Sequence, residues 1–119
     1  MIRLGVDVVD IARLQRRMQR WPRLTDRLFT QAEQAYCLSK PNPPQHFAAR
    51  VAAKEAAFKA VGKGWPELSW TDVEVISAAD KPVLSLTGRA AEQAGPCTPV
   101  VSLSHDAGVA IAAVLLLDG

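Results

Sequence analysis

The spacing of apolar residues changes several times along this chain of 119 residues. Residues 4–9 are mostly apolar and β-branched, which predicts a strand, although Asp7 lies inside it. Residues 11–20 place apolar side chains at helical spacing and arginines at the same spacing, which predicts a helix with an apolar face and a basic face. The basic face consists of Arg13, Arg16, Arg17 and Arg20.

The middle of the chain predicts two further helices with a proline-rich segment between them. Thr30 and Glu33 have the spacing of a capping box, which predicts a short helix that begins after Thr30 and reaches residue 38. Residues 39–44 contain three prolines and are predicted to form a loop. Residues 45–61 are rich in alanine and are predicted to form the longest helix, which ends at Gly62.

The second half of the chain is predicted to be rich in strands. The predicted elements are strands over residues 73–76, 82–86, 99–104 and 109–117 and a short helix over residues 87–94 that ends at Gly95. Residues 105–108 are expected to join the last two strands as a hairpin turn. This order of elements indicates an α+β fold in which an antiparallel sheet packs against the long helix.

Composition narrows the class of protein. The length fits one domain over residues 1–119, and a hydrophobic content of 49% is enough for a core. A net charge of +2 is too small to indicate nucleic-acid binding by itself. The longest apolar run, residues 109–117, is too short to span a bilayer, and Cys37 and Cys97 lack the spacing of a zinc site or a disulfide framework. We therefore expect a cytoplasmic protein without membrane or nucleic-acid partners.

Asp7, Glu55 and Lys59 are the first candidates for chemistry. A carboxylate inside an apolar strand needs a partner, so Asp7 is either paired structurally or part of a site. Glu55 and Lys59 are four residues apart and share a helix face, where they form either an ordinary surface ion pair or part of a site. Mg²⁺ takes one or two protein carboxylates together with phosphate and water, and Asp7 and Glu55 together meet that need.

Small residues and glycines accompany these charges. Ala48, Ala52 and Ala56 lie beside Glu55 on the predicted helix and are expected to form a bare surface for a flat ligand. Gly62-Lys63-Gly64 follows the helix, where glycine N–H groups and a lysine can face an anion. The alternative for this segment is an ordinary helix end with a solvated lysine. Its spacing excludes a Walker loop.

His105 is predicted to lie in the hairpin turn, either as an ordinary polar residue or as a hydrogen-bond donor to a phosphate. A Ser-His-Asp triad is excluded for Ser104, His105 and Asp106. These residues are consecutive, and neighbours on a strand point to opposite faces.

Together, and at these separations, the motifs resemble the 4′-phosphopantetheinyl transferase superfamily, and within it the short, single-module holo-acyl-carrier-protein synthases. The resemblance covers nearly the whole chain. It rests on Gly5-Val-Asp7-Val-Val-Asp10, on Arg27-Leu-Phe-Thr30 with Glu33, on Arg50-Val-Ala-Ala-Lys54-Glu55-Ala56 with Lys59 and Gly62, on residues 82–86, and on Val101-Ser-Leu-Ser-His105.

This resemblance implies the fold of that superfamily and an activity. Such enzymes transfer the phosphopantetheine arm of coenzyme A to a serine of an apo acyl carrier protein and release 3′,5′-ADP. By position, Asp7 and Glu55 would bind Mg²⁺ with the pyrophosphate, and Lys59 would neutralise charge on the transferred phosphoryl group. The general base stays open between Glu55 and a metal-bound water. The residues that would hold the nucleotide and its phosphates are Arg50, Lys54, Gly62, Lys63, Gly64 and His105.

The resemblance also implies partners and an assembly. Acyl carrier proteins are acidic, so Arg13, Arg16, Arg17 and Arg20 would steer one toward the site, the alternative being a solvated basic face. The short members of the superfamily form trimers with sites between protomers, so a homotrimer is expected. Asp10 stands where the family usually has glutamate, and we expect it to cap the arginine-bearing helix.

Two other functions compete with this one. The first is a non-catalytic basic module that binds acidic proteins or nucleic acid through the arginines, for which Asp7 and Glu55 are not needed. The second is another Mg²⁺-dependent enzyme that acts on a nucleotide pyrophosphate. Incubation with coenzyme A, Mg²⁺ and an apo carrier protein separates the three hypotheses.

Overall fold

The computed structural model of this chain describes residues 2–78 and 81–118. Its elements in chain order are β1 (Ile2–Asp10), α1 (Ile11–Arg20), α2 (Arg23–Leu28), α3 (Gln31–Leu38), α4 (Pro43–Val61), a 3-10 turn (Trp70–Asp72), β2 (Val73–Ala78), β3 (Lys81–Leu86), α5 (Gly88–Ala94), β4 (Cys97–Asp106) and β5 (Val109–Asp118). None of the helices in these ranges combines the length and the apolar character needed to cross a membrane.

The strands form two antiparallel sheets. β5 lies between β1 and β4 in a three-stranded sheet, and β2 pairs with β3 in a two-stranded sheet. In the larger sheet Asp7 lies opposite Ala112, which in turn lies opposite Leu103. The predicted α+β class is confirmed, with the antiparallel strands divided between two sheets.

Helix α4 packs against β1 and β5 at very short range. A Cβ atom on Gly5 would lie 1.8 Å from the carbonyl oxygen of Ala56, so this strand position requires glycine. Ala48, Ala52 and Ala56 are fully buried. The alanines therefore bring the helix close to the rest of the protein, and the prediction that they form an open surface for a ligand is wrong.

Several boundaries differ from the sequence prediction, and two of the differences concern the loop before α4 and the hairpin turn. α4 begins at Pro43, inside the predicted loop, because proline has no N–H group to leave unpaired in the first helical turn. β4 continues through His105 and Asp106, and the turn consists of Ala107 and Gly108, both with positive φ. This is the geometry of a tight two-residue hairpin turn. The prediction that His105 lies in the turn is therefore wrong.

Other local predictions are confirmed. Thr30 and Glu33 form a capping box at the start of α3, in which each side chain accepts a hydrogen bond from the backbone N–H of the other. Asp10 caps α1 by accepting from the Arg13 N–H at 2.8 Å. Gly62 ends α4 in the left-handed conformation with a φ of 94°. α2 was not predicted because its six residues are too few to display a helical period.

Candidate active site

Asp7 lies in a small charge cluster between β1 and α4. Lys59 Nζ donates to Asp7 Oδ1 at 2.7 Å and to the Val6 carbonyl oxygen at 3.1 Å. The Asp7 side chain is 12% exposed, whereas that of Lys59 is 59% exposed. The ion pair therefore lies at the surface with its acidic member turned inward and its basic member accessible to a ligand.

Glu55 completes the cluster. Burial and the neighbouring Asp7 carboxylate raise the pKa of Glu55 to about 8. Burial also pushes the pKa of Asp7 upward, but the Glu55 carboxyl and the Lys59 ammonium outweigh it and hold this pKa below its ordinary value. At neutral pH the two carboxyls thus retain one proton, mainly on Glu55. Among the described residues, Lys59 forms its ion pair with Asp7. This pairing replaces the alternative of a simple surface ion pair between Glu55 and Lys59.

One oxygen of this cluster has no nitrogen or hydroxyl donor. Asp7 Oδ2 is buried and accepts no hydrogen bond from an amine, amide or hydroxyl group of a described residue. The Asp7 carboxylate instead shares the proton of the Glu55 carboxyl. A divalent cation beside Asp7 and Glu55 would take the place of that proton and relieve the repulsion between the carboxyls. Residues 2–78 and 81–118 hold no cluster of three or more carboxylate, histidine or cysteine ligands. Two carboxylates alone fit Mg²⁺, because this ion takes its remaining ligands from phosphate and water.

A cavity of about 400 Å³ opens beside Glu55. α1 contributes Arg13 and Arg17 to its wall, and α2 contributes Arg27. Trp65 also lines the cavity, and the Arg27 guanidinium lies 5.4 Å from the centroid of its ring. The cavity therefore places basic side chains next to the carboxyl cluster.

The four arginines predicted to form a basic face are all exposed. They are Arg13, Arg16, Arg17 and Arg20. Arg13 and Arg17 line the cavity beside Glu55. Arg20 instead lies over the ring of Trp21, 5.1 Å from its centroid. The part of the basic face of α1 that contains Arg13 and Arg17 therefore lies near the carboxyl cluster.

A second cavity, of about 570 Å³, is strongly basic. Its wall includes Arg50 and His105, both predicted to bind the nucleotide. Arg50 Nη2 donates to Ser77 Oγ at 2.7 Å, and the guanidinium lies 4.3 Å from the centroid of the Tyr36 ring. The other basic residues of the wall are Lys40, His46 and Lys81. None of the described acidic residues lines this cavity, which we call the basic cavity.

The pKa values of two residues in the basic cavity reflect its positive charge. Burial, and then the charges of Arg50 and Lys40, lower the pKa of His46. A hydrogen bond with Ser77 lowers the pKa of Tyr36, and the same two cations lower it further. Neutral histidine and a more acidic phenol are what a positive potential favours. The basic cavity is therefore suited to an anionic ligand.

Lys54 lies in neither cavity. Its side chain is fully buried. Its ammonium group donates to Glu33 Oε1 at 2.8 Å, to the Trp70 carbonyl at 3.1 Å and to the Val73 carbonyl. Because all three ammonium hydrogens are engaged inside the protein, none is left for a ligand. The prediction that Lys54 binds the nucleotide is wrong.

The Gly62-Lys63-Gly64 segment is only partly available to a ligand. The Gly62 N–H donates to the Phe58 carbonyl at 2.8 Å and so closes the helix. Lys63 forms an exposed ion pair with Glu67 at 3.1 Å. Gly62 therefore has the role of a helix end, and anion binding by Lys63 and Gly64 stays a prediction.

Helix α4 separates the two halves of the predicted site. Arg50 and Glu55 are five residues apart, which places them about 140° apart around a helix axis. Arg50 and His105 line the basic cavity, whereas Glu55 lines the other cavity, and the two cavities share no lining residue. The chain thus brings Asp7, Glu55 and Lys59 together, but it places Arg50 and His105 elsewhere.

Several basic and aromatic residues of these cavities were not predicted. They are Arg27, Tyr36, Lys40, His46 and Lys81. His46 is four residues before Arg50 on the same helix, so helical spacing from Arg50 was a usable signal. The others come from different elements and meet only through tertiary packing.

We expect Glu55→Gln to change how stability depends on pH. The pKa of Glu55 is about 8 in the folded chain, against an ordinary value of 4.5. The contribution of Glu55 to the free energy of unfolding is therefore complete below about pH 4.5 and is lost as pH rises through about 8. In metal-free buffer, the free energy of unfolding of the unmodified chain should fall between about pH 5 and about pH 8 relative to that of the variant.

Urea unfolding in the presence of EDTA measures this difference at each pH. Glu92→Gln, at an exposed carboxylate on α5, is the matched control and should keep the pH dependence of the unmodified chain. A difference between Glu55→Gln and the unmodified chain that stays constant across this range would contradict the raised pKa of Glu55.

Similar sequences belong to one class of protein. Residues 3–114 match the family model described as the 4′-phosphopantetheinyl transferase superfamily. A holo-[acyl-carrier-protein] synthase from Geobacter sp. (strain M21) is 48% identical over 118 residues, which cover 94% of each chain. Another from Moorella thermoacetica is 42% identical over 120 residues, which cover 98% of this chain and 94% of that protein.

Solved structures share the fold. The Chronobacterium ammoniagenes ACPS-CoA complex superposes with a TM-score of 0.89 at 25% identity, covering 100% of this chain and 98% of that one. Helicobacter pylori holo-[acyl-carrier-protein] synthase in complex with coenzyme A superposes with a TM-score of 0.85 at 30% identity. This match covers 95% of this chain and 98% of that one. On the family match and these relatives, the chain belongs to the 4′-phosphopantetheinyl transferase superfamily.

Proposed function

We propose that this chain is a holo-acyl-carrier-protein synthase. It transfers the phosphopantetheine arm of coenzyme A to a serine of an apo acyl carrier protein and releases 3′,5′-ADP. Relatives at 48% and 42% identity carry that name, and the Helicobacter pylori structure contains coenzyme A. The observation in this chain that carries the proposal is the cluster of Asp7, Glu55 and Lys59, with 2.7 Å between Lys59 Nζ and Asp7 Oδ1.

The reaction forms one phosphorus–oxygen bond and breaks another. The serine oxygen bonds to the phosphorus that carries the pantetheine arm, the serine proton leaves, and the bond between that phosphorus and the oxygen of 3′,5′-ADP breaks. Negative charge develops on the transferred group and the leaving oxygen, so electrostatic stabilisation and positioning supply most of the catalysis. Lys59 suits this role because its ammonium is exposed and its bond with Asp7 raises its pKa, which keeps it charged.

Asp7 and Glu55 are the residues that would hold Mg²⁺. When bound, this ion neutralises the oxygens of a pyrophosphate and holds them in place. The two adjoining carboxyls support the assignment, because a divalent cation can take the place of the proton that they share. A bound dication would favour the deprotonated form of Glu55, so Glu55 stays a candidate for the general base that takes the serine proton, beside a metal-bound water.

The basic cavity is suited to the nucleotide end of coenzyme A, which carries phosphates. Arg50 and His105 line it together with Lys40, His46 and Lys81. This cavity and the carboxyl cluster lie on different sides of α4, so a second protomer that supplies one of them would let one coenzyme A molecule reach both.

An exposed apolar sheet face supports a homotrimer that meets this need. Four alternate residues of β1 are large, apolar and at least half exposed: Ile2 (65%), Leu4 (61%), Val6 (50%) and Val8 (58%). These side chains face away from α4, because Gly5 between them faces the helix. Ile111 of β5, opposite Val8, continues the face. Surfaces of this kind mark protein interfaces, and a closed ring covers three of them.

The arginines of α1 suit an acidic carrier protein. Arg13 and Arg17 line the cavity beside Glu55, and Arg16 and Arg20 extend the exposed basic face. A carrier attracted to this face would present its serine near the carboxyl cluster. The competing function of a non-catalytic basic module does not account for a half-buried carboxyl pair beside these arginines.

Phosphopantetheine transfer is tested by mass spectrometry of an apo carrier protein after incubation with coenzyme A and Mg²⁺. We expect the unmodified chain to add the phosphopantetheine mass. Asp7→Ala and Glu55→Ala should each slow transfer about a thousandfold, because each loses several kcal/mol of charge stabilisation. Glu92→Ala is the control and should transfer at the unmodified rate.

Each alternative gives a different outcome in this assay. A non-catalytic module adds no mass and leaves coenzyme A intact. Another enzyme acting on a nucleotide pyrophosphate cleaves coenzyme A and leaves the carrier unloaded. An unchanged rate in Asp7→Ala or Glu55→Ala would remove that residue from the site.

Arg13→Ala and Arg17→Ala should each raise the KM for the carrier protein about three- to fivefold at low salt, with little change in kcat. The effect should shrink as salt is added, because screening weakens attraction between exposed charges. Steady-state kinetics at two salt concentrations measures it. Arg89→Ala, at an exposed arginine of α5, is the control. A KM equal to that of the control would return the arginine to the solvated-surface hypothesis.

Sedimentation equilibrium should give three times the chain mass of 12.9 kDa. The double variant Leu4→Asp/Val6→Asp should sediment as a monomer, because burying two carboxylates in an apolar interface is unfavourable. It should also lose transfer while keeping its circular dichroism spectrum. Ile76→Asp, at an exposed apolar position on the other sheet, should remain trimeric. A monomeric unmodified chain with full activity would contradict the shared site.

A further inference from the structure

We infer that the buried ion pair between Glu33 and Lys54 positions the wall of the basic cavity. Lys54 touches no ligand in this arrangement, so it acts through other residues. The inference rests on the proposed function in one respect, because it treats the basic cavity as the nucleotide site. The positioning of Tyr36, Arg50 and Ser77 by the ion pair depends only on contacts within the chain.

The ion pair connects three elements inside the protein. Glu33 on α3 is 1% exposed and Lys54 on α4 is 0% exposed, with 2.8 Å between Lys54 Nζ and Glu33 Oε1. Both residues also bind the backbone of β2. Glu33 Oε2 accepts from the Val75 N–H at 2.9 Å, and Lys54 donates to the Val73 carbonyl. One side-chain pair therefore joins α3, α4 and β2.

The same three elements carry a cluster in the wall of the basic cavity. Tyr36 is three residues after Glu33 on α3, Arg50 is four residues before Lys54 on α4, and Ser77 is two residues after Val75 on β2. Each spacing returns to the same face of its helix or strand. The ion pair is therefore one layer deeper than the contacts that join Arg50 to Ser77 and to the Tyr36 ring.

The ion pair matters for the basic cavity because it attaches β2, which carries Ser77, to α3 and α4. In the described sheets β2 and β3 form a hydrogen-bonded ladder only with each other, so packing and side-chain bonds hold β2 to the rest of the protein. The ion pair anchors the backbone of β2 at two residues. Thr30 Oγ1 supplies a further link to Glu74 Oε2 at 2.6 Å. Loss of the ion pair would let Ser77 and Tyr36 shift relative to Arg50.

An apolar pair would fill the same space without fixing these positions. The hydrogen-bonding capacity of this pair is well used: Glu33 Oε1 also accepts from the Thr30 N–H, and all three hydrogens of the Lys54 ammonium are engaged. Buried polar networks that are fully satisfied rigidify their surroundings, because each bond has a direction. Burial lowers the pKa of Lys54, which the Glu33 carboxylate counteracts.

The chain contains a reporter for this cluster, since Tyr36 is its single tyrosine. A tyrosinate absorbance titration therefore reports Tyr36 alone. In the unmodified chain the pKa of Tyr36 should lie below its ordinary value of 10.0, because Ser77 and the cations Lys40 and Arg50 stabilise the phenolate. In Lys54→Met this pKa should move toward 10.0. The dissociation constant for 3′,5′-ADP, measured by calorimetry, should rise on the order of tenfold.

Two further variants separate positioning from general destabilisation. Glu33→Gln/Lys54→Met removes both charges, so it avoids an unpaired buried carboxylate and should fold if Lys54→Met does not. This double variant should also move the pKa of Tyr36 toward its ordinary value and raise the dissociation constant for 3′,5′-ADP. Leu116→Ala opens a space in the fully buried core of the larger sheet and destabilises the chain elsewhere. It should leave the pKa of Tyr36 and the binding of 3′,5′-ADP unchanged.

The inference is overturned if the folded Lys54 variants keep the pKa of Tyr36 and the affinity for 3′,5′-ADP. It is also overturned if Leu116→Ala changes both to the same extent. Failure of the unmodified chain to bind 3′,5′-ADP would count against the proposed function. The tyrosine titration would then still decide the positioning role, because it needs no ligand.

Discussion

The close contact between α4 and β1 is the constraint on which the site depends. Gly5 leaves room for the Ala56 carbonyl oxygen, and buried alanines let the rest of the helix approach equally closely. This contact sets the height and rotation of the helix, so that Glu55 lies beside Asp7 and Lys59 reaches the Val6 carbonyl. A larger side chain at the contact would separate the two carboxyls.

The same helix keeps opposite charges apart. The carboxyl pair is on one side, where burial and the Asp7 carboxylate raise the pKa of Glu55. Arg50 is on the other, in a cavity whose cations lower the pKa of His46. Because neither set neutralises the other, each retains its attraction for a ligand. A substrate with phosphates that also takes up a cation would satisfy both.

Sequence reasoning succeeded where the cause of a structure is local. The capping box at Thr30, the cap at Asp10 and the end of α4 at Gly62 all depend on neighbours within one turn, and all were predicted. It failed where a residue's environment comes from another element. Lys54 was expected to face a ligand, yet Glu33 and the backbone of β2 enclose it.

By itself the sequence determined the α+β class, most of the elements and the choice of Asp7, Glu55 and Lys59 as chemical candidates. Periodicity, capping motifs and residue chemistry are all readable along one chain. Only the tertiary structure decided that the alanines face the protein interior, that Lys54 is internal and that Tyr36 and His46 join Arg50. The physical reason is that burial and electrostatic environment are set by what packs against a side chain, and its partners here lie up to tens of residues away in sequence.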